Sequence, residues 1–270
     1  MCELFAMSSL LPATVRFSLE RLARRGGIEG PHRDGWGVAF YEGADVFLLR
    51  EPRAAAKSNL VHFIEQHPPT GQLVISHIRL ATHGKLELRN TQPFIRELGG
   101  YTHVFAHNGD LEEIEHKHSF QSERFQRVGR TDSEQAFCGL LERLAPLWEA
   151  SGDAIPALTE RLDVIVDFAA ELRQLGPANF LYADADVIFA HAHYRKQDND
   201  PQKLPGLYLL QRSCSVKGEE LADAGVILSQ QQEVTLLASV PLSDEAWHAL
   251  AEGEVVVLKN GSVLARSIVE

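Results

Sequence analysis

Apolar residues occur in short runs near both ends of the chain and at helical spacing between them. Cys2–Met7 is predicted as a short, mostly buried strand, and Pro12 to about Arg25 as a helix with Val15, Leu19, Leu22 and Ala23 on one side. Gly26–Pro31 reads as a loop. Trp36–Tyr41 and Asp45–Arg50 make a hairpin with Gly43 in its turn. Leu60 and Ile64 mark a helix stopped by Pro68-Pro69, and Leu73–Arg79 and His103–His107 are two further strands. Thr131, followed three residues later by Glu134, is a capping-box signature opening a helix to about Leu147. A second helix covers Ile155–Gln174, and Asn179–Ala183 with Val187–His191 form a hairpin around Asp184-Ala185-Asp186. The last quarter holds strands at Leu207–Arg212, Glu233–Ala238, Glu254–Lys259 and Val263–Ser267, a short helix near Asp244–Ala251, and a turn at Asn260-Gly261. Strands at both ends and helices between them predict α+β layers rather than alternating βαβ units. No repeat or linker divides residues 1–270, which are expected to form a single domain.

Composition narrows the picture in two ways. With 26 Lys+Arg against 37 Asp+Glu, the formal charge is −11, which argues against nucleic acid or an anionic membrane as the main partner. Arg21, Arg24 and Arg25 fall at helical spacing and read as a solvated face. The three cysteines, Cys2, Cys138 and Cys214, form no CxxC pair, and no apolar stretch reaches transmembrane length. No signal peptide is visible, so a cytoplasmic protein is expected.

The candidate chemistry starts at Cys2. If Met1 is removed, the thiol and the free α-amino group belong to one residue. An amine with a pKa near about 7.7–8.0 can act as general base at neutral pH and generate the thiolate nucleophile. Four further motifs follow in order: Asp34-Gly35-Trp36-Gly37, His77-Ile78-Arg79-Leu80-Ala81-Thr82-His83-Gly84, His107-Asn108-Gly109 and Thr131-Asp132-Ser133-Glu134. An arginine provides a planar fork for a carboxylate. An aspartate balances an ammonium, and it equally favours the first turn of its own helix. Asn108-Gly109 alone is also an ordinary β-turn.

Together these motifs resemble class II glutamine amidotransferase domains, members of the N-terminal-nucleophile hydrolases. With Asn90-Thr91-Gln92-Pro93-Phe94 and Ala238-Ser239-Val240-Pro241-Leu242, the chain looks most like the stand-alone bacterial YafJ type. That type is similar to the fungal glutathione-degrading amidotransferase subunit. The resemblance implies a four-layer αββα sandwich. It implies hydrolysis of the γ-glutamyl amide of glutamine or a larger γ-glutamyl compound by Cys2, through a thioester. It assigns Asn108 and Gly109 to an oxyanion hole, Arg79 with Thr82 and His83 to the substrate α-carboxylate, and Asp132 to the α-ammonium. It implies no cofactor and leaves room for a partner enzyme. Leu80 stands where many relatives carry tryptophan, which weakens the case for channelled ammonia. Trp36 is expected to be core. A silent γ-glutamyl-binding or regulatory domain, or a subunit active only with a partner, are the competing readings. His191 and His193 share a strand face, but neither a third ligand nor HExxH accompanies them, so no metal is expected.

Overall fold

A computed structural model describes residues 2–15, 31–81, 84–197, 200–214, 220–221, 226–227 and 232–269. Its first half contains strands β1 (Glu3–Val15), β2 (Trp36–Glu42), β3 (Asp45–Glu51) and β4 (Thr70–Ile78), with helix α1 (Asn59–Gln66) between β3 and β4. Strands β5 (Phe94–Leu98) and β6 (Tyr101–Gly109) follow, then helices α2 (Asp132–Ser151) and α3 (Leu158–Leu172), and strands β7 (Ala178–Ala183) and β8 (Ile188–His191). Among the described residues two large antiparallel sheets form. The first runs His248–Ala249, Tyr208–Cys214, Gln232–Ala238, β1, β4, β2, β3. The second runs Ser262–Ile268, Glu254–Lys259, β8, β7, β6, β5.

Strand alternation sorts side chains into three cores. Leu4, Ala6, Ala39 and Ile75 of the first sheet meet Val104, Ala106, Leu181 and Val256 of the second in an almost wholly aliphatic layer. The aromatic residues point the other way. Phe105 and Phe180 pack against Phe137 of α2 and Phe168 of α3 on the outer face of the second sheet. Phe5, Trp36, Phe40 and Val74 cover the outer face of the first sheet with Val61 and Ile64 of α1. The order is therefore helix, sheet, sheet, helix: the expected α+β sandwich of four αββα layers. Among the described residues no helix is long and apolar enough to cross a membrane.

Several boundaries differ from the sequence expectation. Pro12–Val15 is strand, not the start of a helix, because Thr14 and Val15 pair with Ile227 and Val226. Pro12, which has no N–H to offer, falls at the register shift between Ser8 and Ala13. The rest of the predicted helix, its arginines included, and most of the Gly26–Pro31 loop lie outside the described residues. The helix expected at Asp244–Ala251 is absent; His248 and Ala249 pair with Leu209 and Tyr208, and Trp247 Nε1 donates to Ser243 Oγ at 3.0 Å. Strand β5 and the hairpin of Tyr194–Gln197 with Asp200–Pro205 were not anticipated. Thr131 caps α2 as expected, accepting from Glu134 N at 3.2 Å. Glu134 does not complete the box: its carboxylate accepts from Val128 N and Gly129 N and pairs with Arg96.

Candidate active site

The strand pairing of β1 with β4 sets the position of Cys2. Leu4 lies opposite His77 and Glu3 opposite Ile78, so Cys2 falls beside the Arg79–Leu80 segment that leaves β4. The Cys2 Sγ is 3.4 Å from Leu80 O and 3.4 Å from Leu80 N, donating to one and accepting from the other. Burial pushes the Cys2 thiol up from its ordinary value, while the Leu80 backbone and the Arg79 charge pull the other way. This environment favours a thiol over a standing thiolate. The Leu80 segment is itself held by the Asp34 motif. Asp34 N donates to Arg79 O at 3.2 Å, Arg79 N to Gly35 O at 2.8 Å, and Ala81 N to Asp34 Oδ2 at 2.7 Å.

Arg79 is 4% exposed, and its guanidinium donates to Lys85 O at 3.2 Å and Gly84 O at 3.3 Å. Burial draws it below its ordinary value, opposed by Cys2, Asp34 and Asp132. Asp132 opens α2; its Oδ2 accepts from Leu111 N at 3.0 Å and its Oδ1 from Ser133 N at 2.8 Å. The charges of Arg79 and Asp132 both reach the Cys2 thiol, with opposite effect. Cys2, just before β1, thus lies within electrostatic reach of Arg79, just after β4, and of Asp132, at the start of α2. Thr82 and His83 lie outside the described residues.

Asn108 and Gly109 end β6. Asn108 shares strand parity with Val104 and Ala106, which face the layer between the sheets. It is fully buried; its Nδ2 is 3.5 Å from Ser239 Oγ, and its Oδ1 has no hydrogen-bond partner. Its carbonyl accepts from Asn179 Nδ2 at 3.1 Å. A Cβ at Gly109 would overlap the Pro177 carbonyl, so the close pass of the chain at Pro177 requires glycine there. Cys2, Leu80 and Gly109 line a cavity of about 450 Å³ whose other walls include Arg173, Tyr194 and Lys196. Asp132 lines a neighbouring cavity, with Asp110, Arg127 and Arg130.

Two supports were missed from sequence. Beyond Phe94 the β5–β6 ladder stops, and the Gln92 side chain replaces it: His107 N donates to Gln92 Oε1 at 2.6 Å and Gln92 Nε2 to His107 O at 3.2 Å. Gln92 thus holds the peptide before Asn108 from the open side. A Cβ at Gly37 would overlap Gln92 O, which ties the Asp34 motif to the same clamp. His107 Nδ1, 3.0 Å from Ser133 Oγ, links β6 to α2. The Asn90–Phe94 run was visible as a motif, but its spacing gave no sign of what Gln92 would grip. Trp36 is 1% exposed and belongs to the outer core, as expected. His191 and His193 are buried, and His191 Nδ1 bonds Ala178 O at 2.7 Å. Among the described residues no group of three or more His, Cys, Asp or Glu is placed to hold a metal.

Comparison with known proteins completes the picture. The family model for class II glutamine amidotransferases matches residues 1–269. YafJ of Escherichia coli, provisionally named as a glutamine amidotransferase, is 33% identical over 261 residues, covering 94% of this chain and 96% of that one. A similarly named Haemophilus influenzae protein is 32% identical, covering 99% and 87%. A Pseudomonas aeruginosa structure described as a predicted glutamine amidotransferase superposes with TM-score 0.69 at 35% identity, covering 98% of this chain and 100% of that one. The glutamine phosphoribosylpyrophosphate amidotransferase of Bacillus subtilis superposes with TM-score 0.61 at 16% identity, a likeness of fold that spans 49% of that chain.

Proposed function

This chain belongs to the class II glutamine amidotransferases, and we propose from that premise that its single 1–270 domain hydrolyses γ-glutamyl amides with Cys2 as nucleophile. The observation that carries the reading is the place of Cys2: its Sγ lies 3.4 Å from the backbone N and O of Leu80, the residue after buried Arg79, and it lines a cavity with Gly109. The charges of Arg79 and Asp132, both felt at the thiol, suit the α-carboxylate and α-ammonium of a γ-glutamyl group. Once Met1 is removed, the Cys2 α-amine takes the thiol proton as sulfur attacks the amide carbon. The tetrahedral oxyanion is met by the Asn108 side-chain NH2 and the Gly109 N–H. Collapse breaks the C–N bond, the α-ammonium returns its proton to the leaving amine, and a γ-glutamyl thioester remains. Water, deprotonated by the same amine, adds to the thioester through a second oxyanion. Glutamate leaves and the thiol is restored. Losing one oxyanion donor typically costs about 10²–10³ in turnover.

The cavity of about 450 Å³ that Cys2 and Gly109 line, and Asp132 does not, favours a leaving amine larger than ammonia. An acceptor amine, or a partner enzyme that takes ammonia, would use the same opening. The test follows amine release from glutamine, γ-glutamylmethylamide and γ-glutamylglycine. Turnover of at least one, abolished in Cys2→Ala, is expected. Turnover that persists in Cys2→Ala overturns the assignment, and binding of γ-glutamyl compounds without turnover by the Met1-free chain would establish the silent, γ-glutamyl-binding reading instead.

A further inference from the structure

Ser239 stands where the strands bearing Cys2 and Asn108 come together. It continues the Gln232–Ala238 strand past the Phe5–Ala238 pair and lies beside Leu4. Its backbone N–H donates to Leu4 O at 3.0 Å, and its hydroxyl accepts from Leu4 N at 2.9 Å. The hydroxyl therefore takes the place of a ladder carbonyl two residues from Cys2. Its parity is that of Leu237, which faces the layer between the sheets, and this lets it reach across to the second sheet. There its oxygen is 3.5 Å from Asn108 Nδ2, the outer limit of a hydrogen bond.

The Asn108 amide holds an unresolved demand. Its Oδ1 is buried without a donor, while its NH2 points at an oxygen that already accepts from Leu4 N. A buried acceptor left without a donor is unfavourable. The Ser239 hydroxyl still has a proton to give, and an asparagine carries its oxygen and its NH2 on arms of nearly equal shape. Half a turn about the last side-chain bond exchanges them. Ser239 Oγ–H then donates to Oδ1, and the NH2 occupies the place of the orphaned oxygen with both protons uncommitted.

We propose that Ser239 is a positioning residue: its hydroxyl, anchored on Leu4 N, holds the Asn108 oxygen so that the Asn108 NH2 faces the oxyanion formed at Cys2. The inference rests on the reading of Asn108 as an oxyanion donor. The Ser239 hydroxyl also lies between the strand that follows Cys2 and the strand that carries Asn108.

The experiment is a double-mutant cycle on the best γ-glutamyl substrate, with Ser239→Ala, Asn108→Ala and the pair. Ser239→Ala is expected to lower kcat about tenfold with KM within twofold, and Ser239→Thr, which keeps the hydroxyl, to recover most of it. In the Asn108→Ala background Ser239→Ala should cost less than twofold, because there is no amide left to orient. Binding of L-glutamate γ-semialdehyde, which forms a tetrahedral adduct on the thiol, should weaken about tenfold in Ser239→Ala while L-glutamate binding holds. The same loss from Ser239→Ala with and without Asn108, or an unchanged kcat beside a damaged Asn108→Ala, overturns the proposal. An unaffected Asn108→Ala overturns the oxyanion assignment and the proposal with it. If Ser239→Ala fails to fold, the Ser239→Thr enzyme decides: turnover as low as that of Asn108→Ala contradicts the positioning role.

Discussion

The chemistry at Cys2 depends on what burial does to a thiol. Removed from water, the sulfur is pushed toward its neutral form, so in the proposed reaction a base acts during attack rather than before it. Arg79 poses the opposite problem, a guanidinium kept inside by backbone carbonyls of Gly84 and Lys85 and the charges of Asp34 and Asp132. Its planar fork is the feature a lysine cannot reproduce. Arg79→Lys should therefore raise KM for γ-glutamyl substrates about 10- to 100-fold with kcat changed far less, read from initial rates. An unchanged KM removes Arg79 from the carboxylate site. At this scale the sequence supplied candidates, and their roles are proposals. Cys2, Arg79, Asn108, Gly109 and Asp132 were all named from motifs. Ser239 was quoted only within a motif, because a serine reaching between two sheets has no local signal.

At the scale of elements, the five motifs stand at the starts of β1 and β2, the ends of β4 and β6 and the start of α2, tied by side chains that substitute for ladder bonds. Asp34 does this for Ala81 and Gln92 for His107. Gln92→Leu would leave the buried N–H and C=O of His107 without partners, at a cost of about 1–3 kcal/mol per group. Denaturant melts should show that loss, and kcat should fall with it, since Asn108 is the next residue. Full stability in this variant would mean that the clamp does not hold β6. Element existence was readable where short apolar runs were bounded by turn residues, as in β2, β3 and β7. Strand β5 hid behind Gln92-Pro93, and the Asp244–Ala251 segment mimicked a helix because partner residues far along the chain, Tyr208 and Leu209, decide its pairing.

For the whole molecule, the aliphatic layer between the sheets and the aromatic layer under the helices separate two tasks. The first lets the sheets that carry Cys2 and Asn108 close on one another; the second supplies most of the bulky packing. Several histidines are enclosed in the process. Burial holds His77 and His191 down to about 3 and His103 to about 4. An unfolded histidine titrates near about 6.5, so below that pH the unfolded chain binds more protons than the folded one. Stability is then full above pH 6.5 and falls as pH drops toward the folded values, by about 1.4 kcal/mol per histidine per pH unit. Melts between pH 7.5 and 5 should show a steep decline, and a flat midpoint across that range would contradict neutral buried imidazoles. Layer order was legible through the resemblance and not through periodicity alone, which gives strands without saying which sheet each joins.

The central claim, that Cys2 is the nucleophile of a γ-glutamyl site, is tested most directly by intact mass with and without 6-diazo-5-oxo-L-norleucine, followed by peptide mapping. The account predicts a chain that has lost Met1 and gains a single adduct, mapped to Cys2 and absent from Cys2→Ala. A Met1-free chain that gains no adduct, or one that gains it elsewhere, would contradict the account.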